Sequence, residues 1–331
     1  MKEALFYDAL AGRRVACHLC PHECLIAEGK RGICRVRENR DGVLIALTYE
    51  RPASVQMDPI EKKPLYHFHP GSRILSLGSV GCNLSCGFCQ NWSLVEGDLP
   101  RSTLPIDELP DLATKQGSIG VAWTYNEPFI WYEYIMDAGR RVKEAGLANV
   151  LVTNGFVNAQ PLREMLPLID AMNIDLKAID DSFYRKNCKG RVNPVQETIR
   201  IADGSCLVEV TNLIIPGQND SDDQINRLVD FVASVNRDIP LHFSRYFPNR
   251  SFDAPPTPEE TLGRAFEIAH DRLPYVYLGN ITLDTGNDTH CPHCGALLVS
   301  RRGYRTDVKG LAGNTCARCH TALNIIYSGE P

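Results

Sequence analysis

Ser79-Val80-Gly81-Cys82-Asn83-Leu84-Ser85-Cys86-Gly87-Phe88-Cys89 sets three cysteines in a short loop directly after an apolar run, residues 73–79, that reads as a β-strand. In parallel α/β folds the loops at the carboxyl ends of strands form the active-site face, so the position of this loop matters as much as its content. Three thiolates spaced CxxxCxxC can converge on one cubane, whose four irons ordinarily take four protein ligands, and one iron is then left open to a substrate or cofactor. The competing reading is a zinc site that borrows its fourth ligand from His67 or His69. CxxxCxxC is less usual for structural zinc than paired CxxC arms.

Downstream, strand-like apolar runs at 119–124, 149–153, 172–176, 207–215, 241–246 and 276–281 alternate with helical patterns. Ile225, Leu228, Val229, Val232 and Val235 share one helical face, as do Ile135, Ala138, Val142 and Ala145. Strands alternating with helices imply βαβ units and a parallel sheet, which a full or partial barrel would curl. No short-period repeat or low-complexity tract appears, which argues against a solenoid.

Eleven of the 13 cysteines fall into three groups: Cys17, Cys20, Cys24 and Cys34; Cys82, Cys86 and Cys89; and Cys291, Cys294, Cys316 and Cys319. Three modules are therefore expected, at residues 1–72, 73–285 and 286–331. Cys188 and Cys206 stand outside the groups and read as small buried apolar residues. The C-terminal pairs, CxxC and CxxC, suit a four-thiolate zinc that stabilises a module too small for its own core, with a rubredoxin-like iron as the lesser alternative. Arg301, Arg302, Arg305 and Lys309 lie between these pairs and read as a solvated loop. The N-terminal spacing is unequal and unlike a ferredoxin run; zinc and a second iron–sulfur cluster both remain open, with zinc preferred. His18 and His22 complicate its ligand count.

At 331 residues, with 44% hydrophobic and 23% charged residues, the composition is that of a globular protein. No apolar run is long enough to span a bilayer, and residues 1–10 lack a secretory signal, so a cytoplasmic location is expected. A net charge of −5 weighs against a general nucleic-acid binder. In a reducing cytosol, 13 thiols point to metal ligation and not to disulfides.

CxxxCxxC with an aromatic residue, Phe88, before its last cysteine resembles the signature of the radical S-adenosylmethionine (SAM) superfamily. The string Asp58-Pro59-Ile60-Glu61-Lys62-Lys63-Pro64-Leu65-Tyr66-His67-Phe68, with Gly81-Cys82-Asn83-Leu84 and Cys89-Gln90-Asn91-Trp92, resembles more narrowly the radical SAM member of the AmmeMemoRadiSam system, related to pyruvate formate-lyase activating enzymes. The similarity runs from the Cys17 group to Cys319.

The resemblance implies an α/β chain built on a partial (βα)6 barrel, with an N-terminal Cys-rich module and a C-terminal zinc-ribbon-like module. It also implies a [4Fe–4S] cluster on Cys82, Cys86 and Cys89 that cleaves SAM, and an electron donor such as flavodoxin or ferredoxin. SAM-binding positions carried over are Phe88, Asn126, Glu127, Asn154, Asp175 and Lys177. Thr124-Tyr125-Asn126-Glu127-Pro128 stands where relatives carry Gly-Gly-Glu-Pro, so Tyr125 and Asn126 replace two glycines. Read from the residues alone, Asn126 to Pro128 could simply cap a helix, and the Asp175–Lys177 pair could be a rim ion pair. The turn Ile214 to Asp220 is similar to a SAM-proximal segment, and Gly279 and Asn280 would lie beside the adenine. Arg245 could hold an anion or an internal carboxylate, while His242 reads as structural. Glu61, Lys62, Lys63, Tyr66 and His67 either cover the barrel mouth or form a solvated linker.

The substrate class implied is a protein or peptide, as in glycyl-radical activation. Radical modification of RNA or a small molecule is a second enzymatic reading. A non-catalytic multi-zinc binding module is the reading from a different class, and it leaves Glu127 and the βα pattern without a purpose.

Overall fold

The computed structural model describes residues 2–281, 283 and 285–329; Met1 and residues 330–331, the extremities of the expected outer modules, lie outside these. Its central sheet has eight strands hydrogen-bonded in chain order: β1 (Ser54–Pro59), β2 (Arg73–Gly78), β3 (Gly120–Trp123), β4 (Ala148–Thr153), β5 (Ala171–Asp175), β6 (Leu207–Ile214), β7 (Leu241–Arg245) and β8 (Val276–Gly279). From β2 to β8 every neighbour is parallel. Helices α1 (Leu109–Lys115), α2 (Tyr132–Glu144), α3 (Ala159–Met165), α4 (Val192–Ala202), α5 (Asp222–Val235) and α6 (Glu259–His270) occupy the successive crossovers. Six strand–helix units thus lead to a seventh parallel strand. All seven apolar runs read from the sequence form strands, with ends moved by a residue or two, as is normal at strand termini.

The strand that periodicity missed is β1, which pairs antiparallel with β2 from Ser54↔Gly78 to Pro59↔Arg73. As an edge strand it needs only one buried face and tolerates Pro59 at its end, so it carries no apolar run. The boundary expected before Arg73 consequently falls inside a β-hairpin.

Alternation along the strands divides the apolar residues between two faces. Leu75, Val121, Leu151, Met172 and Val208 join the main core under the helices. Ile74, Ala122, Val150, Ala171 and Leu207 face the other way, where Ile60, Leu65 and Phe68 fill the space. On α5, Ile225, Leu228, Val229 and Val232 are buried as the pattern requires. On α2, Ala145 is instead exposed beyond the last turn.

Ahead of the sheet, two small antiparallel sheets hold the N-terminal cysteines: Tyr7–Leu10 with Arg14–Cys17 and Cys24–Ile26, and Lys2–Glu3 with Val43–Ala46 and Arg37–Arg40. They are tied to α2 by a fully buried Arg37–Glu133 ion pair, whose ends also bond the Leu5 carbonyl (2.8 Å) and N–H (2.8 Å). The C-terminal strands Thr289–His290, Leu297–Arg302 and Arg305–Val308 form a meander. Its following segment docks on residues 67–69, with Ile326 N–H donating to the His67 carbonyl and His69 N–H to the Ile326 carbonyl, both 2.7 Å. Among the described residues no helix is long and apolar enough to cross a membrane.

Candidate functional site

A cavity of about 530 Å³ opens at the carboxyl ends of β2 to β8, the face expected from the position of the cysteine loop. Cys82, Cys86 and Cys89 line one side of it, together with Phe88. The loop is held by backbone bonds to a distant segment: Ser85 N–H donates to the Cys188 carbonyl (2.9 Å) and Gly87 N–H to that of Asn187 (3.1 Å). Gly81 has φ +82°, and a Cβ there would stand 2.4 Å from the Cys34 carbonyl oxygen, so only glycine fits this turn. Phe88 is buried against Phe183 and Phe252, at 5.7 and 5.8 Å between ring centroids. It anchors the loop in the core as well as bordering the cavity.

Donors converge on the sulfurs. Cys82 Sγ accepts from Leu84 N–H (3.4 Å) and from Asn154 Nδ2 (3.6 Å). Asn154 is itself fixed by a 2.9 Å bond to Asn83 Oδ1. Burial, and next the Glu127 carboxylate, push the Cys82 thiol well up. The Cys86 thiol is drawn down by a hydrogen bond from Cys188. Cys188, read from sequence as inert packing, therefore touches the site; it lies about a hundred residues away in the chain and no motif marks it. Among the described residues, the only group of three or more His, Cys, Asp or Glu ligand atoms within 4.8 Å of one another is the C-terminal quartet. Cys82, Cys86 and Cys89 open on one cavity without forming such a compact group, and this donor set fits a multi-iron cluster.

Glu127 is buried at the head of the short 3-10 turn Pro128–Trp131. Its Oε1 accepts from Thr153 Oγ1 (2.7 Å) and Phe129 N–H (3.0 Å), and its Oε2 from Asn154 N–H (2.8 Å). The capping role and a cavity-lining position coexist, because a carboxylate has about four acceptor sites and three are taken. Burial raises its pKa to about 7, although the three donors and Lys177 resist this. Tyr125, standing in for a glycine, takes a left-handed conformation with φ +72°. Asn126 Oδ1 accepts from Ser79 N–H (3.0 Å), and its Nδ2 donates to the Gly81 carbonyl (3.0 Å), which stitches the β3 loop to the cysteine loop.

Lys177 Nζ pairs with Asp175 at 3.0 Å, and both line the cavity, the lysine being the more buried of the two. Burial alone would depress the lysine, but Asp175 and the Cys86 and Cys188 sulfurs outweigh it and raise its pKa.

Glu61, Lys62, Lys63 and Tyr66 also line the cavity, and of these four only Lys62 is exposed to solvent. Asp58 binds Lys62 (2.8 Å), Lys63 (2.6 Å) and the Tyr125 hydroxyl. Burial lowers Lys63 to about 8 even though Asp58 opposes this. His67 is committed elsewhere: it bonds the Asn324 carbonyl and the Tyr277 hydroxyl, both at 2.7 Å, and so is no fourth ligand. His242 bonds Glu209 at 2.6 Å and borders the cavity. Arg245 donates to the Thr257 carbonyl (2.8 Å), a structural pin. Of the Ile214 to Asp220 turn, none lines the cavity; Asn219 instead braces the Lys177 carbonyl at 2.7 Å.

Residues 77–232 match the family model for the radical SAM superfamily. Over 335 aligned residues, 98% of this chain and 100% of the relative, the sequence is 42% identical to the uncharacterized protein MJ0808 of Methanocaldococcus jannaschii. The chain carries a radical SAM domain. This radical SAM chain is also 26% identical to the pyruvate formate-lyase 1-activating enzyme of Escherichia coli K12 over 175 residues, 50% of this chain and 70% of that one. A crystal structure of a domain of the pyruvate formate-lyase-activating enzyme from Bacteroides vulgatus aligns with a TM-score of 0.44 at 21% identity, covering 49% of this chain and 99% of that one. The family and this relative make it an enzyme of the radical SAM class with homology to those activating enzymes.

Two further thiol quartets flank the radical SAM core. In the C-terminal one, Cys291 and Cys319 sulfurs are 3.6 Å apart and those of Cys294 and Cys316 are 3.7 Å apart. Sulfurs about 2.3 Å from one tetrahedral ion stand roughly 3.8 Å from each other, so the quartet is already shaped for a single metal. Arg301 in this module is not part of a solvated loop. It is buried in Leu297–Arg302, donating to the Tyr66 carbonyl (2.8 Å) and Thr289 Oγ1 (2.7 Å) with its guanidinium 4.2 Å from the Tyr66 ring centroid. The N-terminal quartet, Cys17, Cys20, Cys24 and Cys34, surrounds a small pocket. His18 is held between Asp8 and Glu23. His22 lines the pocket, with its Nε2 against the Asn83 carbonyl at 2.6 Å.

Proposed function

We propose that this radical SAM enzyme binds a [4Fe–4S] cluster on Cys82, Cys86 and Cys89, and that the cluster supplies the electron that splits the C5′–S bond of SAM, yielding a 5′-deoxyadenosyl radical that takes hydrogen from a protein or peptide substrate. The observation that carries the reading is the convergence of three thiols, Cys82 among them served by two N–H donors, on a cavity large enough for a ligand of SAM's size. Glu127 accepts from the SAM ammonium through its remaining acceptor site, a charge-assisted contact that favours the carboxylate. Asn154, Asp175 and Lys177 take the ribose and carboxylate. Gly279 and Asn280 border the adenine. Asn126 and Phe88 hold the two loops in register. Lys63, Glu61 and Tyr66 meet the substrate and exclude water from the reacting centre.

The sheet of six strand–helix units is read as a partial (βα)6 barrel closed by β8. The string Asp58 to Phe68 supports placing the chain with the AmmeMemoRadiSam family, and its partner as a flavodoxin- or ferredoxin-type electron donor. The sulfur spacing of the C-terminal quartet supports zinc there. Thirteen free thiols support a reducing, cytoplasmic setting.

The substrate class is tested by incubating the reduced protein with SAM and candidate substrates made with deuterium at their carbon positions. Deuterium in 5′-deoxyadenosine from a protein or peptide supports the reading. Label arriving only from RNA or a small metabolite refutes that substrate class while keeping the radical chemistry.

A further inference from the structure

We propose that Cys17, Cys20, Cys24 and Cys34 hold a second iron–sulfur cluster, of the [4Fe–4S] class, packed directly against the loop that carries the first. The four sulfurs surround one pocket whose other walls include Leu19, Ile26 and Ile130. Cys17 and Cys24 face each other on neighbouring antiparallel strands, and Cys20 lies on the turn between them. The donors are those a thiolate needs. Arg37 Nη1 reaches Cys17 Sγ at 3.4 Å, and backbone N–H groups of His22, Ile33 and Val36 serve Cys20, Cys24 and Cys34. Hydrogen bonds to sulfur and an apolar shell are the features by which proteins tune iron–sulfur centres.

Spacing separates the two metal classes. A single tetrahedral ion draws its sulfurs to the 3.6 and 3.7 Å found in the C-terminal quartet. Among the described residues no three N-terminal sulfurs lie within 4.8 Å of one another, although all four border the same pocket. Each thiolate of a cubane sits beyond its own iron, so a quartet that encloses a common space at wider separation matches a cluster. The preference for zinc drawn from sequence spacing alone gives way on this point.

The site also touches the first one. The Cys34 carbonyl lies against Gly81, leaving no room for a side chain, and His22 bonds the Asn83 carbonyl, so both neighbours of Cys82 are in contact with the N-terminal module. Cys34, Val36, Val80 and Ile130 form a small apolar cluster between the two sites. The outer rim reaches solvent at Ile33, 55% exposed. A one-electron donor docking there reduces the outer cluster by one electron, which returns to its oxidised state on passing that electron inward. This relay role rests on the radical SAM reading; the presence of the cluster does not.

The test uses the full chain, reconstituted without oxygen. In the triple variant Cys82→Ala, Cys86→Ala, Cys89→Ala we expect about four irons and four acid-labile sulfides per chain, with a reduced electron paramagnetic resonance signal that SAM does not change. The double variant Cys20→Ser, Cys34→Ser should hold half the iron of wild type, and its remaining signal should respond to SAM. A triple variant with no sulfide and about two zinc ions per chain overturns the proposal, as does a double variant with wild-type iron. Should the double variant misfold, the triple variant alone decides between sulfide and zinc. Loss of any SAM response from wild type would instead sink the function proposed above, leaving the iron count of the triple variant as an independent readout.

Discussion

Stripping the metal from the C-terminal quartet should melt that module and loosen one wall of the cavity while the central sheet survives. The buried cluster of the module consists of Leu298, Val299 and Ile325 besides the two ligands Cys291 and Cys316. Three aliphatic side chains contribute about 2 kcal/mol each, roughly 6 kcal/mol together. A four-thiolate metal contributes about 10–16 kcal/mol in small peptides, more than these three side chains together. Once the module melts, Arg301 loses its bonds to the Tyr66 carbonyl and Thr289, and Tyr66 loses its stacking partner. The assay is hydrogen exchange on the Cys316→Ser variant. Amides of Leu297–Arg302 and Arg305–Val308 should exchange at near-unprotected rates, residues 64–68 should gain partial exposure, and β4 to β6 should keep wild-type protection. Wild-type protection across the 297–308 hairpin in a variant shown to lack the metal would refute this reasoning.

Replacing Glu133 by Ala strands the buried Arg37 guanidinium and should cost about 3–5 kcal/mol, read as a fall in urea midpoint; a loss under 1 kcal/mol would mean the pair is not held as described. Acidification should work through His67, whose pKa burial lowers from 6.5 to about 4. Its folded pKa is depressed, so it stabilises fully above 6.5 and loses about 1.4 kcal/mol by pH 5.5. Glu127 acts in the opposite sense, since burial raises it from 4.5 to about 7 and stability from this group grows as pH falls through 7. The wild type should therefore change little between pH 7.5 and 5.5, whereas Glu127→Gln should lose about 1–2 kcal/mol over that range. A flat urea-midpoint profile for Glu127→Gln contradicts the assignment.

The parts of this molecule that were legible in the sequence are those encoded at short range. The period-2 and period-3.6 patterns of 73–281 located the strands and helices of the sheet, and CxxxCxxC and the CxxC pairs located thiol sites, because ligands of one metal repeat within a turn or two of chain. What stayed hidden depends on residues far apart in sequence. β1 is visible only through its pairing with β2. Cys188 meets Cys86 because the turn after β5 folds over the loop. Arg301 looked like one charge among four, yet its strand carries it under Tyr66 and Tyr277. Glu127 combined two expectations, since the capping bond and the cavity wall use different oxygen lone pairs.

The central claim is that the Cys82, Cys86 and Cys89 centre binds SAM at an open iron and reduces it. Dithionite-reduced, oxygen-free protein should give an electron paramagnetic resonance signal whose g values move when SAM is added, and should release 5′-deoxyadenosine and methionine in equal amounts; Cys86→Ala should do neither. A signal indifferent to SAM in protein with full iron and sulfide content, with no 5′-deoxyadenosine formed, would contradict the account.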